Sequence, residues 1–256
     1  MDGLACHDRS MEQTDPPQSD PQADPQADPR ADWPATPKAT PGNTPPAAPD
    51  TGGPSGGPSG RQHGRPGEMT SHDVDLAVAE LLRALSPQLA ADWQVRAGTL
   101  EWTCAATAAH IAHDLLAYAG QVAARPAGAY LPFDLQVRPT ATPDELLAVV
   151  RACGRLLSGA LAAADPADRA WHWGPTDPSG FAAMGVAETL LHTHDITQGL
   201  RIDWRPPVDL CAKVLSRLFP TAPAGDPVEV LLWSTGRGPL GDREPLSSWV
   251  WKAAVS

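Results

Sequence analysis

Lysine is almost missing from this sequence: Lys38, Lys213 and Lys252 are its whole supply, and 19 basic residues face 30 acidic ones. The formal charge of −11 leaves no basic footprint for nucleic acid, so nucleic-acid partners are excluded. Cysteine is nearly as sparse. Cys6, Cys104, Cys153 and Cys211 stand singly with no C-x-x-C spacing, which argues against a disulfide framework or a Cys-rich metal site. Three of them read as small core residues. No unbroken run of about 18 apolar residues occurs, and "MDGLACHDRS" lacks the basic and apolar regions of a signal peptide. No membrane partner and a cytoplasmic location are therefore expected.

What is present divides the chain in two. Residues 1–68 are rich in Pro, Gly, Ala, Asp, Gln and Ser, with the degenerate repeat "PQADPQADPRAD" and the linker-like "GGPSGGPSG". Such a segment buries too little apolar surface to offset chain entropy, and a disordered arm is expected. Residues 69–256 are long enough for one domain with a sizeable core.

That domain reads as mainly α. Ser71 caps a first helix carrying Val74, Val78, Leu81, Leu85 and Leu89, with Pro87 ending it early. Thr103 caps a second helix to about Ala123, with Ile111, Leu115, Tyr118 and Val122 in register. "TPDE" (Thr142 to Glu145) is a capping box that launches a third helix. Asp177 and Pro178 open a fourth, with Gly199 as its end. A shorter helix carries Leu210, Val214 and Leu218. "VEVLLW" and "SSWVW" are β-prone and separated by "GRGPLG", which predicts a small C-terminal β-hairpin. Four comparable helices with one apolar stripe each argue for a four-helix bundle, and the long connection 124–142 is placed to cover a site.

The fourth helix carries an anomaly, "ETLLHTHDI" (Glu188 to Ile196). At helical spacing Glu188 and His192 point within roughly 40° of each other on the face that also holds Phe181 and Met184. Ionisable groups on such a face are costly unless compensated. Either they satisfy one another, with Asp195 as a further partner of His192, or they ligate a divalent metal. His194 lies well round the helix. A third ligand would have to come from "TAAHIAHDLL" on the second helix, where the helical wheel leaves His110 and His113 both open.

"LEWTCAATAAHIAHDLLAYA", "GFAAMGVAETLLHTHDITQGL" followed by "WRPP", and "LLWSTGR" together resemble the mycothiol-dependent maleylpyruvate isomerase N-terminal family. That family belongs to the DinB-like group of four-helix metal proteins. The resemblance spans residues 70–256 and implies a DinB-like bundle with His110, Glu188 and His192 as ligands of a divalent metal, usually zinc. It also implies mycothiol as thiol cosubstrate. Asp195 then either orients His192 or satisfies local polarity. Coordination deprotonates a thiol, so the expected activity is isomerase or S-transferase on a small electrophile. The family's isomerases carry a larger C-terminal domain than the roughly 35 residues available here, which leaves substrate specificity open.

Around the three ligands other residues are weaker candidates. Arg237 in "WSTGR" could bind a substrate carboxylate bidentately and is the one tentative catalytic residue. His172, between two tryptophans, could line the approach, and Tyr130 and Arg138 lie in the long connection. Cys104 sits at a helix start that would lower its pKa, but it has no adjacent base and reads as core. The alternatives are a non-enzymatic metal-binding bundle and, more remotely, a metal hydrolase. The sequence leaves monomer and homodimer equally open.

Overall fold

The computed structural model describes residues 68–255; the expected disordered arm, with Cys6, lies outside the described residues except for Glu68. The described residues are mainly helical: α1 (Ser71–Leu85), α2 (Cys104–Ala124), α3 (Pro143–Ala163), α4 (Pro178–Gly199), α5 (Val208–Leu218) and α6 (Pro227–Ser234). A two-stranded antiparallel sheet joins β1 (Ala170–Trp171) to β2 (Pro175–Thr176) between α3 and α4.

Local sequence sets the helix ends. Thr103, Thr142, Asp177 and Asp226 each sit just before a helix and accept backbone N–H bonds from its first turn. Pro143, Pro178 and Pro227 follow three of these caps, where a missing N–H costs nothing. The first helix starts one residue earlier than the Ser71 cap implied. Thr70 is its N-cap, in a capping box with Asp73.

Helix α1 packs on α3 and α4, and α2 packs on α3 and α4, so the bundle runs α1–α3–α2–α4 around its axis. Its centre holds Leu81, Leu85, Ile111, Leu115, Leu157, Phe181, Met184 and Leu190, all essentially inaccessible. Helix α5 adds a further layer on α4, which is consequently buried on nearly every side. Small residues make that possible. Gly199 ends α4 so close to the segment before α2 that a Cβ there would collide with the Arg96 carbonyl oxygen and lie 2.8 Å from Cys104 Sγ. Gly199→Ala is expected to cost about 1–3 kcal/mol by overpacking, read as a lower midpoint in urea denaturation.

One expectation is corrected. The C-terminal hairpin is absent from the described residues: "VEVLLW" lies in α6, because Asp226 accepts from Val228 and Glu229 N–H groups and Pro227 starts the helix. A helix-start signal outweighed the β propensity of its valines. The small sheet lies instead at 170–176, and the chain's end reaches back to it through a bridge between Thr176 and Ala254. Helix α3, though it holds no unbroken apolar run, is long and apolar enough on average to cross a membrane by length and composition. Here its apolar stripe, Leu146, Val150, Cys153 and Leu157, is buried in the bundle, while Arg151 and Arg155 are exposed on its other side.

Candidate metal centre

The adjacency of α2 and α4 decides which histidine of "AHIAH" meets the fourth helix. His110 faces Glu188 and His192; the three residues offer ligand atoms that all lie within 4.8 Å of one another. His192 Nε2 is 3.2 Å from Glu188 Oε2, and His110 Nε2 is 3.8 Å from the same oxygen. Two imidazole nitrogens and one carboxylate oxygen make a donor set suited to zinc. His113 points elsewhere, its Nδ1 accepting the Leu135 N–H at 3.3 Å.

Each remaining polar atom of the set is fixed from behind. The Tyr118 hydroxyl donates to Glu188 Oε1 at 3.5 Å, which leaves Oε2 as the oxygen turned toward the histidines. His192 Nδ1 bonds Asp195 Oδ2 at 2.9 Å, directing Nε2 into the cluster. Asp195 in turn receives Arg237 through Nε at 3.0 Å and Nη2 at 2.8 Å. The Trp102 ring packs at 4.8 Å from His110 and 6.3 Å from His192. This tryptophan precedes the α2 cap, so one short stretch supplies the cap, the ring and the histidine.

The electrostatics follow from burial and these partners. Burial opposes the Glu188 charge, yet bonds from His110 and His192 hold its carboxyl well below the ordinary range. For His192 burial works against protonation, but Asp195 and Glu188 carry its pKa up to about 9. Without a metal, His192 is thus an imidazolium clasped between two carboxylates. A divalent ion held by His110, Glu188 and His192 would have to displace that proton. Burial likewise resists the Asp195 charge, and Arg237 keeps its carboxyl below the usual value.

The tentative assignment of Arg237 to a substrate carboxylate meets a different geometry. Its guanidinium is spent on Asp195 and on the Thr235 carbonyl oxygen. It acts as a counter-ion behind His192. His172 is buried against Tyr130, whose hydroxyl bonds its Nδ1, and burial lowers its pKa to about 4. Trp173 forms the exposed tip of the small hairpin, its ring tilted against that of Trp171 with centroids 5.1 Å apart. Cys104, Cys153 and Cys211 are buried, and their thiols are pushed up to about 11, 11 and 12 by burial. At Cys104 burial therefore outweighs the helix start. Asp114 and Tyr118 were not singled out as site residues, though both lie at i+4 steps from His110, the same spacing that exposed Glu188 and His192.

A family model described as mycothiol maleylpyruvate isomerase N-terminal domain matches residues 77–197, a span that holds all three candidate ligands and ends before Arg237. No curated protein and no solved structure matches the chain significantly.

Proposed function

We propose, from the match of residues 77–197 to the mycothiol maleylpyruvate isomerase N-terminal domain family, that this chain is a member of that family and a divalent-metal-dependent enzyme using mycothiol on a small electrophile. The observation that carries this reading is the convergence of His110, Glu188 and His192 within 4.8 Å, with His192 aimed by Asp195. A divalent ion held there, zinc by donor type, would supply Lewis acidity that keeps a thiol as thiolate near neutral pH.

The chain's own residues do the rest. Tyr118 presents one Glu188 oxygen, the Asp195–Arg237 pair fixes the His192 ring, and Trp102 excludes water from one side. The ligand side chains keep about a tenth of their surface, 10–13 %, so the cluster is shielded yet reachable. The thiol sulfur adds to an electrophilic carbon. In an isomerase that addition turns a double bond into a single one, rotation follows, and elimination returns the thiol. In an S-transferase the thioether leaves as product.

The test is metal analysis of the purified protein followed by titration with mycothiol. Stoichiometric metal with thiol binding is expected. Absence of metal overturns this reading and the hydrolase one alike, whereas metal without thiol binding favours a non-enzymatic bundle. Chelation gives a second expected result. The helical circular dichroism persists, because the apolar core does not involve the site, while the melting temperature drops. At a metal concentration a hundredfold above Kd the lost linkage is about 2.7 kcal/mol.

A further inference from the structure

The surface in front of the three candidate ligands is apolar, and the positive charge beside it is already engaged. One turn before His110 on α2 stands exposed Ala106, and Trp102 precedes it at the same spacing. The half-buried Trp102 ring packs at 4.8 Å from His110 and 6.3 Å from His192. Half-buried Ala105 and Ala109 flank this strip. Among the described residues, Arg237 is the one Lys or Arg paired with a carboxylate of the cluster or its supports, and it is spent on Asp195 and the Thr235 carbonyl oxygen. Arg96, whose backbone bridges Thr103 next to Trp102, is held by both oxygens of Glu101 at 3.1 and 2.5 Å.

The charges decide what can approach. A divalent ion carrying a thiolate keeps one positive charge, and Glu188 balances it. Arg237 balances Asp195. Asp114, with Oδ2 at 3.2 Å from His110 Nε2, can only add negative charge. The loaded centre therefore offers no net positive charge. A carboxylate entering so shielded a place would be desolvated without a partner, whereas a neutral flat molecule loses little and gains the Trp102 ring. A tryptophan that merely plugs the bundle would explain the ring alone, and not the engagement of both guanidinium groups. We propose that the substrate class of this centre is an uncharged, flat electrophile, an activated alkene ester or arene, seated on Trp102 and the Ala106 strip, with carboxylate-bearing electrophiles disfavoured. The inference rests on the metal and thiol reading above and names its substrate class.

The experiment compares dimethyl maleate with maleate, which share a carbon skeleton and differ in charge. Saturation-transfer NMR follows the binding of each to the full chain, metal-free and zinc-loaded, and the metal-free titration separates recognition by the chain from ligation of the ion. Cis–trans isomerisation of each is then measured with zinc and mycothiol. The diester is expected to bind at least about tenfold more tightly than maleate in both forms and to be turned over faster. Trp102→Ala should weaken diester binding about two- to tenfold, and Trp102→Phe should restore part of it, with circular dichroism verifying the fold of each. Ala106→Arg, which adds an unengaged guanidinium one turn from His110, should narrow the gap between the two probes. Maleate bound as tightly as the diester, a gap unmoved by Ala106→Arg, or diester binding indifferent to Trp102→Ala overturns the proposal. A wild type that takes up neither zinc nor mycothiol, seen before either probe is added, removes the reading above and this inference together.

Discussion

Glu188→Ala is expected to leave the purified protein without stoichiometric divalent metal. Among the described residues, Glu188 is the one carboxylate within ion-pair distance of both histidines of the cluster, at 3.2 and 3.8 Å. Removing it deletes one ligand and the charge that compensates the ion. Loss of a residue that merely orients a ligand typically costs 10–100-fold in metal affinity, so loss of the ligand itself should exceed about a hundredfold. Thiol binding should vanish with the metal. The helical fold should survive, since the variant removes a buried charge rather than core volume. Elemental analysis and zinc titration measure the first effect, and circular dichroism the second. Glu188→Gln keeps the shape and should lose most of the affinity, which separates charge from packing. An alanine variant that retains metal at wild-type affinity would refute the assigned site.

Arg237→Met carries the largest expected loss of stability. Asp195 is 3 % exposed and accepts from two nitrogens of this guanidinium, Nε and Nη2. Breaking a buried pair from one side strands the other charge and costs about 3–5 kcal/mol. The consequence reaches the site, because Asp195 is also what orients His192. The expected result is a lower unfolding midpoint together with about 10–100-fold weaker zinc binding. Adding Asp195→Asn should recover part of the stability, since the stranded charge is gone, but not the zinc affinity, since an amide is a weaker partner for His192 Nδ1. A substrate-carboxylate role alone would predict intact stability and zinc binding for Arg237→Met, with a raised KM only.

How much was legible beforehand can be judged from particular residues. Helix ends at Thr103, Thr142, Asp177 and Gly199 were readable because caps and proline act over three or four residues. The same local rule, applied to Asp226-Pro227, would have identified α6; the valines that follow drew attention to strand propensity instead. The Glu188–His192 pair was visible because an i,i+4 ionisable pair interrupts an apolar face. Asp114 offered the same spacing from His110 and went unremarked, since α2 has an Ala-rich flank against which a carboxylate looks like a solvated surface residue.

The sequence by itself determined the helices, their caps and the anomalous pair on the fourth one, because each depends on neighbours within a turn or two. The resemblance named His110, but only the tertiary structure shows that His110 rather than His113 meets that pair, that Asp114 sits beside His110, and that Arg237 backs Asp195. Those facts depend on the bundle order that sets α2 beside α4, and on the turn after α6 that brings Arg237 back to Asp195 from 42 residues further on. Helical periodicity tells which side of a helix a residue occupies; it carries no information about which helix lies opposite.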